Sequence, residues 1–264
     1  LGSFLLLLGR WLFLPGASNK PRLEYAALGD LFHFGKWVFL STAAGFVIQQ
    51  ADRALLGLWI PIDALGVYHI GLLLASVPLL LQRSLQSKVV TPLYRMKDVR
   101  SDRSNRKALF RARRLLALFT LSATAILAFI GPDLVRLLYD ARYVEAGAVI
   151  TLFCFSAVPI LCLNTVNQAL LGMGDSRRAC FTIGLRALLQ TVFLIIGFQL
   201  AGIAGVILAA GLATLVAYPL MLTYARHYDV WDPLQDFGLT SLGLALCGAA
   251  CWLHADILLP LFEV

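Results

Sequence analysis

Charge is what this sequence has least of. Asp, Glu, Lys and Arg make up 14% of its 264 residues against 59% hydrophobic, whereas soluble domains run nearer a quarter charged and half apolar. That balance, with a mean hydropathy of +0.79, excludes an ordinary water-soluble globule and makes the bilayer the solvent for most of the chain. Strict apolar–polar alternation over strand-length segments is also missing, which excludes a membrane β-barrel. Runs such as LLALFTLSATAILAFIG, residues 115–131, are apolar on every face. The expected fold class is therefore all-α integral membrane, a polytopic helical bundle.

Site chemistry is scarce as well. The five cysteines, Cys154, Cys162, Cys180, Cys247 and Cys251, lie in or beside apolar runs without a CxxC pair. The four histidines, His33, His69, His227 and His254, are scattered. Structural zinc needs clustered thiolate or imidazole ligands, so the cysteines read as small packing residues and no metal is implied. The nearest glycine turn, GMGDS at 172–176, fits neither a dinucleotide nor a P-loop pattern, so no cofactor is implied. The basic run KDVRSDRSNRKALFRARR, residues 97–114, has little aromatic interleaving beyond Phe110. It reads as a topology determinant touching anionic headgroups rather than as a nucleic-acid site.

At about 20 apolar residues per crossing, the sequence predicts a partial span at 1–15 and full spans near 37–60, 64–85, 115–136, 146–171, 179–199, 203–225 and 236–258. Arg10 and the lack of a basic leader argue against a signal peptide and for the end of a truncated helix. Residues 16–36 read as a cytoplasmic loop containing a short interfacial helix, LEYAALGDLFHF. Pro61 with Gly66, Gly172 with Gly174, and Gly202 separate successive spans, and Pro78, Pro159 and Pro219 predict kinks. Seventeen of the 22 basic residues fall in loops 16–36, 83–114, 172–178 and 226–235; the alternating loops hold only Arg136 and Arg142. By the positive-inside rule those four loops are cytoplasmic.

Against this background the polar groups inside spans stand out, because ionisable side chains at membrane depth cost about 2.5–3.5 kcal/mol each on insertion scales. Gly45, Gln49, Asp52 and Arg53 form one helical stripe at i, i+4, i+7 and i+8. Asn164, Asn167 and Gln168 share a second face, and Arg186 and Gln190 a third. Three such stripes converging on one cavity is the functional expectation. An Asp52–Arg53 ion pair, a snorkelling Arg186, and amides serving as interhelical glue are the structural alternatives.

Residues 34–37 (FGKW), 51–53 (ADR) and 64–68 (ALGVY) occur in the order found at the start of the second half of bacterial oligosaccharide-unit flippases of the O-antigen type. These belong to the polysaccharide-exporter branch of the multidrug/oligosaccharidyl-lipid exporter superfamily. LLYDARYVEAGAVI at 137–150 and NQALLGMGDSRRACFTIGLRALLQ at 167–190 resemble the same family, so the likeness spans residues 30–230. The resemblance implies a non-enzymatic, two-lobed transporter in the bacterial inner membrane. Such a transporter moves undecaprenyl-diphosphate-linked oligosaccharide from the cytoplasmic to the periplasmic leaflet. It makes 37–225 a six-helix second lobe, 236–258 an additional helix, and 1–15 the end of a first-lobe helix. The implied partners are membrane lipid, the lipid-linked sugar and an N-terminal lobe absent from this chain. In that frame Arg53 and Arg186 contact the anion, Gln49, Asn164, Asn167 and Gln190 meet sugar hydroxyls, and Asp52 balances Arg53 or carries a coupling proton. A lipid II flippase or drug/cation antiporter is the alternative within the superfamily. A membrane O-antigen ligase or polymerase is the alternative from another class.

The charge asymmetry fixes an orientation that labelling checks. In a background lacking the five native cysteines, a cysteine at Ser104 reacts only from the cytoplasmic side and one at Asp140 only from the opposite side. Labelling of Ser104 from outside reverses the topology.

Overall fold

The computed structural model describes residues 25–95 and 103–262. The expected partial span 1–15 and residues 16–24 of the expected loop 16–36 lie outside the described residues, and the rest of that loop, 25–36, is helical. The chain divides into two units, 1–36 and 37–264. In the first, the described residues are the opening turns of α1 (Tyr25–Trp59); everything below concerns the second.

The described residues are helical with no strand, as a chain that must satisfy its backbone without water requires. After α1 come α2 (Ile62–Ala75), α3 (Val77–Leu85), a π-helical segment (Gln86–Val90) and α4 (Thr91–Arg95). Then follow α5 (Arg103–Leu138), α6 (Ala146–Leu163), α7 (Thr165–Gly172) and α8 (Ser176–His227). A second π-helical segment (Leu234–Leu239) leads into α9 (Thr240–Leu253) and the short α10 (Ala255–Leu258). Among the described residues, five stretches are long and apolar enough to cross a membrane: Ile62–Tyr94, Arg106–Leu138, Ala141–Gly172, Ser176–His227 and Leu234–Leu253.

α8 would be about 78 Å long as a straight helix, far more than a bilayer. It is in fact two arms, because Ala201 and Gly202 leave helical geometry, Gly202 at φ 54°. A positive φ there suits glycine. The chain turns back, so that Arg178 near the start of one arm meets Tyr228 just beyond the end of the other. Gly197 and Gly205 touch backbone to backbone beside the turn. This is the boundary expected at Gly202.

α6 is the hub. Its most apolar stretch is 89% buried, against 28–44% for the other four segments, and it packs on α2, α5, α8 and α9. Short polar side chains on it bond across helices: the Ser156 hydroxyl donates to the Ile207 carbonyl at 2.7 Å and accepts from the Gly211 N–H at 3.1 Å. Thr151 donates to the Ala128 carbonyl at 3.1 Å. The helix breaks at Asn164 rather than at Pro159, which stays inside α6. Carbonyls near that break are taken by amides from other elements, Gln82 onto Leu161 at 2.5 Å and Gln235 onto Cys162 at 3.2 Å.

The long basic loop expected at 83–114 is largely helical: 83–95 and 103–114 belong to α3, the π segment, α4 and α5. Lys and Arg are good helix formers, and their long stems pack while their heads reach polar partners. Arg113, 2% exposed, donates to the Val230 carbonyl at 2.6 Å and to the Thr165 hydroxyl at 2.7 Å. Arg114 grips Asp232 with two 2.7 Å bonds. These arginines hold 230–232 against α5.

The Gly197–Gly205 contact yields a stability test, since overpacking a closed site costs about 1–3 kcal/mol or more. Gly205→Val should sharply lower the unfolding temperature in detergent, because its Cβ would collide with the Gly197 carbonyl. Gly184→Ala should be neutral or slightly stabilising, because a Cβ there meets nothing within 4 Å. Equal behaviour of the two variants contradicts the hairpin packing.

Candidate functional site

Within the polar stripe of α1, Asp52 and Arg53 are half-buried and Gln49 is exposed, while Leu58 on the opposite face is 80% exposed. Across from the stripe stand Tyr68 on α2, Arg83 on α3, and Arg186 with Gln190 on the first arm of α8. Together they line a cavity of about 320 Å³. Gln49, Asp52, Arg53, Arg186 and Gln190, each singled out from sequence, therefore meet in one place. Asn164 and Asn167 do not line it. Asn167 donates to Asn164 at 2.7 Å and accepts from the Thr182 hydroxyl at 2.5 Å, so this stripe closes the α6–α7 break onto α8.

Each cavity residue owes its position to its helix. Gln190, 4% exposed, donates from Nε2 to the Ile48 carbonyl at 2.9 Å and so ties α8 to α1. Gln49 turns its amide onto the Gly45 carbonyl of its own helix at 3.1 Å, and its oxygen lies 3.5 Å from Arg83 Nη1. Tyr68, 2% exposed, donates to Asp52 Oδ2 at 2.8 Å. Thus Asp52 is held by a neutral phenol, and the ion pairs among the described residues do not include Asp52 with Arg53.

The electrostatics follow from that arrangement. Three guanidinium groups share the cavity with one carboxylate, and the field of Arg83 reaches Arg186 as like charge. Arg186 is 5% exposed. Its Nε, the Nε of Arg53, Oδ1 of Asp52 and Oε1 of Gln190 are all buried without a protein partner. Buried polar atoms in native proteins are overwhelmingly hydrogen-bonded, and buried cations without a counter-ion mark functional positions in membrane proteins. The geometry suits an anion with planar oxygens, which guanidinium forks grip in pairs. Amides and a carboxylate beside it suit hydroxyl groups. No cluster of His, Cys, Asp and Glu able to hold a metal occurs among the described residues.

Arg83 and Tyr68 are cavity residues that the sequence does not single out: Arg83 falls in the expected cytoplasmic basic loop, and Tyr68 lies among apolar neighbours. A helical register was available: Tyr68, Leu72, Ser76, Leu79 and Arg83 recur at steps of four, four, three and four, the spacing of one face.

The family model described as "Polysaccharide biosynthesis protein" matches residues 1–148. The match takes in the stripe of α1, Tyr68 and Arg83, and ends at the start of α6; Arg186 and Gln190 lie beyond it. No curated protein and no solved structure matches the chain. With more than half of its residues matched and its apolar helices of membrane-spanning length, the chain is a multi-pass membrane protein belonging to the polysaccharide biosynthesis protein family.

Proposed function

We propose that the protein flips an undecaprenyl-diphosphate-linked oligosaccharide from the cytoplasmic to the periplasmic leaflet of the bacterial inner membrane, without covalent chemistry. The observation that carries this reading is the excess of guanidinium over carboxylate in the cavity, with Arg53 and Arg186 holding buried, unpartnered nitrogens. A diphosphate supplies the missing negative charge, and sugar hydroxyls match Gln49, Gln190 and Asp52. Family membership supports polysaccharide synthesis as the setting. In this reading a second lobe faces the cavity, and rocking of one lobe against the other alternates access.

The charge balance weighs against export of cationic drugs, for which acidic groups should dominate the cavity. It weighs less against lipid II, whose diphosphate is the same anion. A ligase or polymerase needs catalytic groups on a substantial outer segment. The connections assigned to that side are short: the α1–α2 and α5–α6 junctions and the turn at Gly202.

Arg53 gives the test. In the full-length protein, Arg53→Ala should abolish surface polysaccharide while membrane abundance stays near wild type. Arg53→Lys should restore part of it, keeping charge but not the bidentate fork. The double change Asp52→Ala with Arg53→Ala should be as inactive as Arg53→Ala alone. Normal polysaccharide from the double variant at wild-type abundance contradicts an anion-binding role.

A further inference from the structure

A second concave site lies where the two arms of α8 end, on the side assigned to the cytoplasm by the basic residues. It is a groove of about 550 Å³ lined by Asp175, Arg177, Arg178, Phe181, Tyr224 and Tyr228, a volume in the range of small-molecule sites.

Its charges are not equivalent. Asp175 caps α8 by accepting from the Arg178 N–H at 3.1 Å. The same carboxylate accepts from the Tyr228 hydroxyl at 2.5 Å and lies 3.3 Å from the Arg178 guanidinium. Arg178 in turn donates to the Tyr228 oxygen at 2.6 Å and lies over the Tyr224 and Tyr228 rings. Burial and the Asp175 hydrogen bond raise the Tyr228 phenol, keeping it a neutral donor. Asp175 and Arg178 are therefore a closed, self-neutralised pair.

Arg177 is what remains. Its guanidinium lies 5.6 Å over the Trp37 ring of α1 and 6.0 Å from Phe181, and those two rings are in tilted contact at 5.8 Å. The ion pairs of the described residues do not include it. Aromatic faces hold the plane of the cation and leave its N–H fork free for planar oxyanions. Phe181 is 49% exposed, so the cation sits beside an apolar surface at the level where Trp and Tyr gather at membrane interfaces. A free phosphate uses only the cation. A phospholipid uses both, with its phosphate on Arg177 and the top of an acyl chain along Phe181.

We propose that this groove binds the headgroup of an anionic phospholipid of the cytoplasmic leaflet, with Arg177 as the phosphate contact. The site is separate from the Arg53–Arg186 cavity and does not depend on what that cavity transports. It ties the lipid to both arms of α8 and, through Trp37, to α1.

Phosphatidylglycerol with brominated acyl chains quenches nearby tryptophan, and Trp37 adjoins Arg177. The test titrates this lipid into the purified full-length protein in zwitterionic detergent. Wild type should quench saturably, and Arg177→Gln should weaken the apparent affinity on the order of fivefold, the change for one basic side chain at a headgroup. Arg142→Gln, an exposed charge in the α5–α6 connection, should leave it unchanged, and inorganic phosphate at matched concentration should not displace the lipid. Unaltered affinity in Arg177→Gln overturns the proposal. An equal loss in Arg142→Gln shows diffuse attraction and overturns it too, and displacement by phosphate shows a free-anion site instead. If Arg177→Gln does not accumulate, Arg177→Lys is read in the same assay; it should fall between wild type and no binding, and equality with wild type overturns the site.

Discussion

A cation inside a bilayer must find an anion, reach water or be carried at a cost of about 2.5–3.5 kcal/mol on insertion scales. Among the described residues, Arg114 takes the first route with Asp232 and Arg178 with Asp175. Arg113 gives its two terminal nitrogens to a carbonyl and a hydroxyl and, like Arg53 and Arg186, keeps a buried Nε without a protein partner. What sets Arg53 and Arg186 apart is the cavity they share, whose lining has only Asp52 as a carboxylate. The rest of the helical arrangement is compatible with that charge because it gives the guanidinium groups a walled space instead of hydrocarbon.

The walls depend on α6. A helix buried on nearly all sides gives its neighbours one common surface, and in lipid such contacts rely on close packing and polar bonds rather than on water exclusion. Ser156 and Thr151 supply bonds from α6 to the carbonyls of facing helices, while Gln82 and Gln235 return bonds to its own carbonyls near Asn164. The hairpin in α8 then sets Arg186 and Gln190 across from α1. Gln190 makes the join directly, through the Ile48 carbonyl. The groove at Arg177 lies at the other end of the same hairpin arm, so both concave sites depend on the turn at Gly202.

Much of this was legible in the sequence because hydropathy and glycine act locally. Apolar runs marked the helices, Gly202 marked the hairpin, and the spacing of Gln49, Asp52 and Arg53 marked a face that lipid would reject. What was not legible required knowing which faces meet. Asn164 and Asn167 look like Gln49 and Gln190 in one dimension, yet they close a helix break with Thr182. Arg83 reads as a loop charge until α3 is seen to continue past it into the cavity. Asp52 and Arg53 read as a pair because they adjoin, whereas Tyr68, sixteen residues from Asp52, takes the carboxylate.

The account makes Arg186 a residue kept for function at the expense of stability, a common trade at binding sites. The most direct test measures two properties of one variant, Arg186→Gln, in the purified full-length protein: its unfolding temperature and its affinity for a diphosphate-bearing isoprenoid lipid. Removing an uncompensated cation should hold or raise the unfolding temperature while weakening lipid binding on the order of tenfold or more. A lower unfolding temperature with undiminished binding would make Arg186 a structural group and contradict the account.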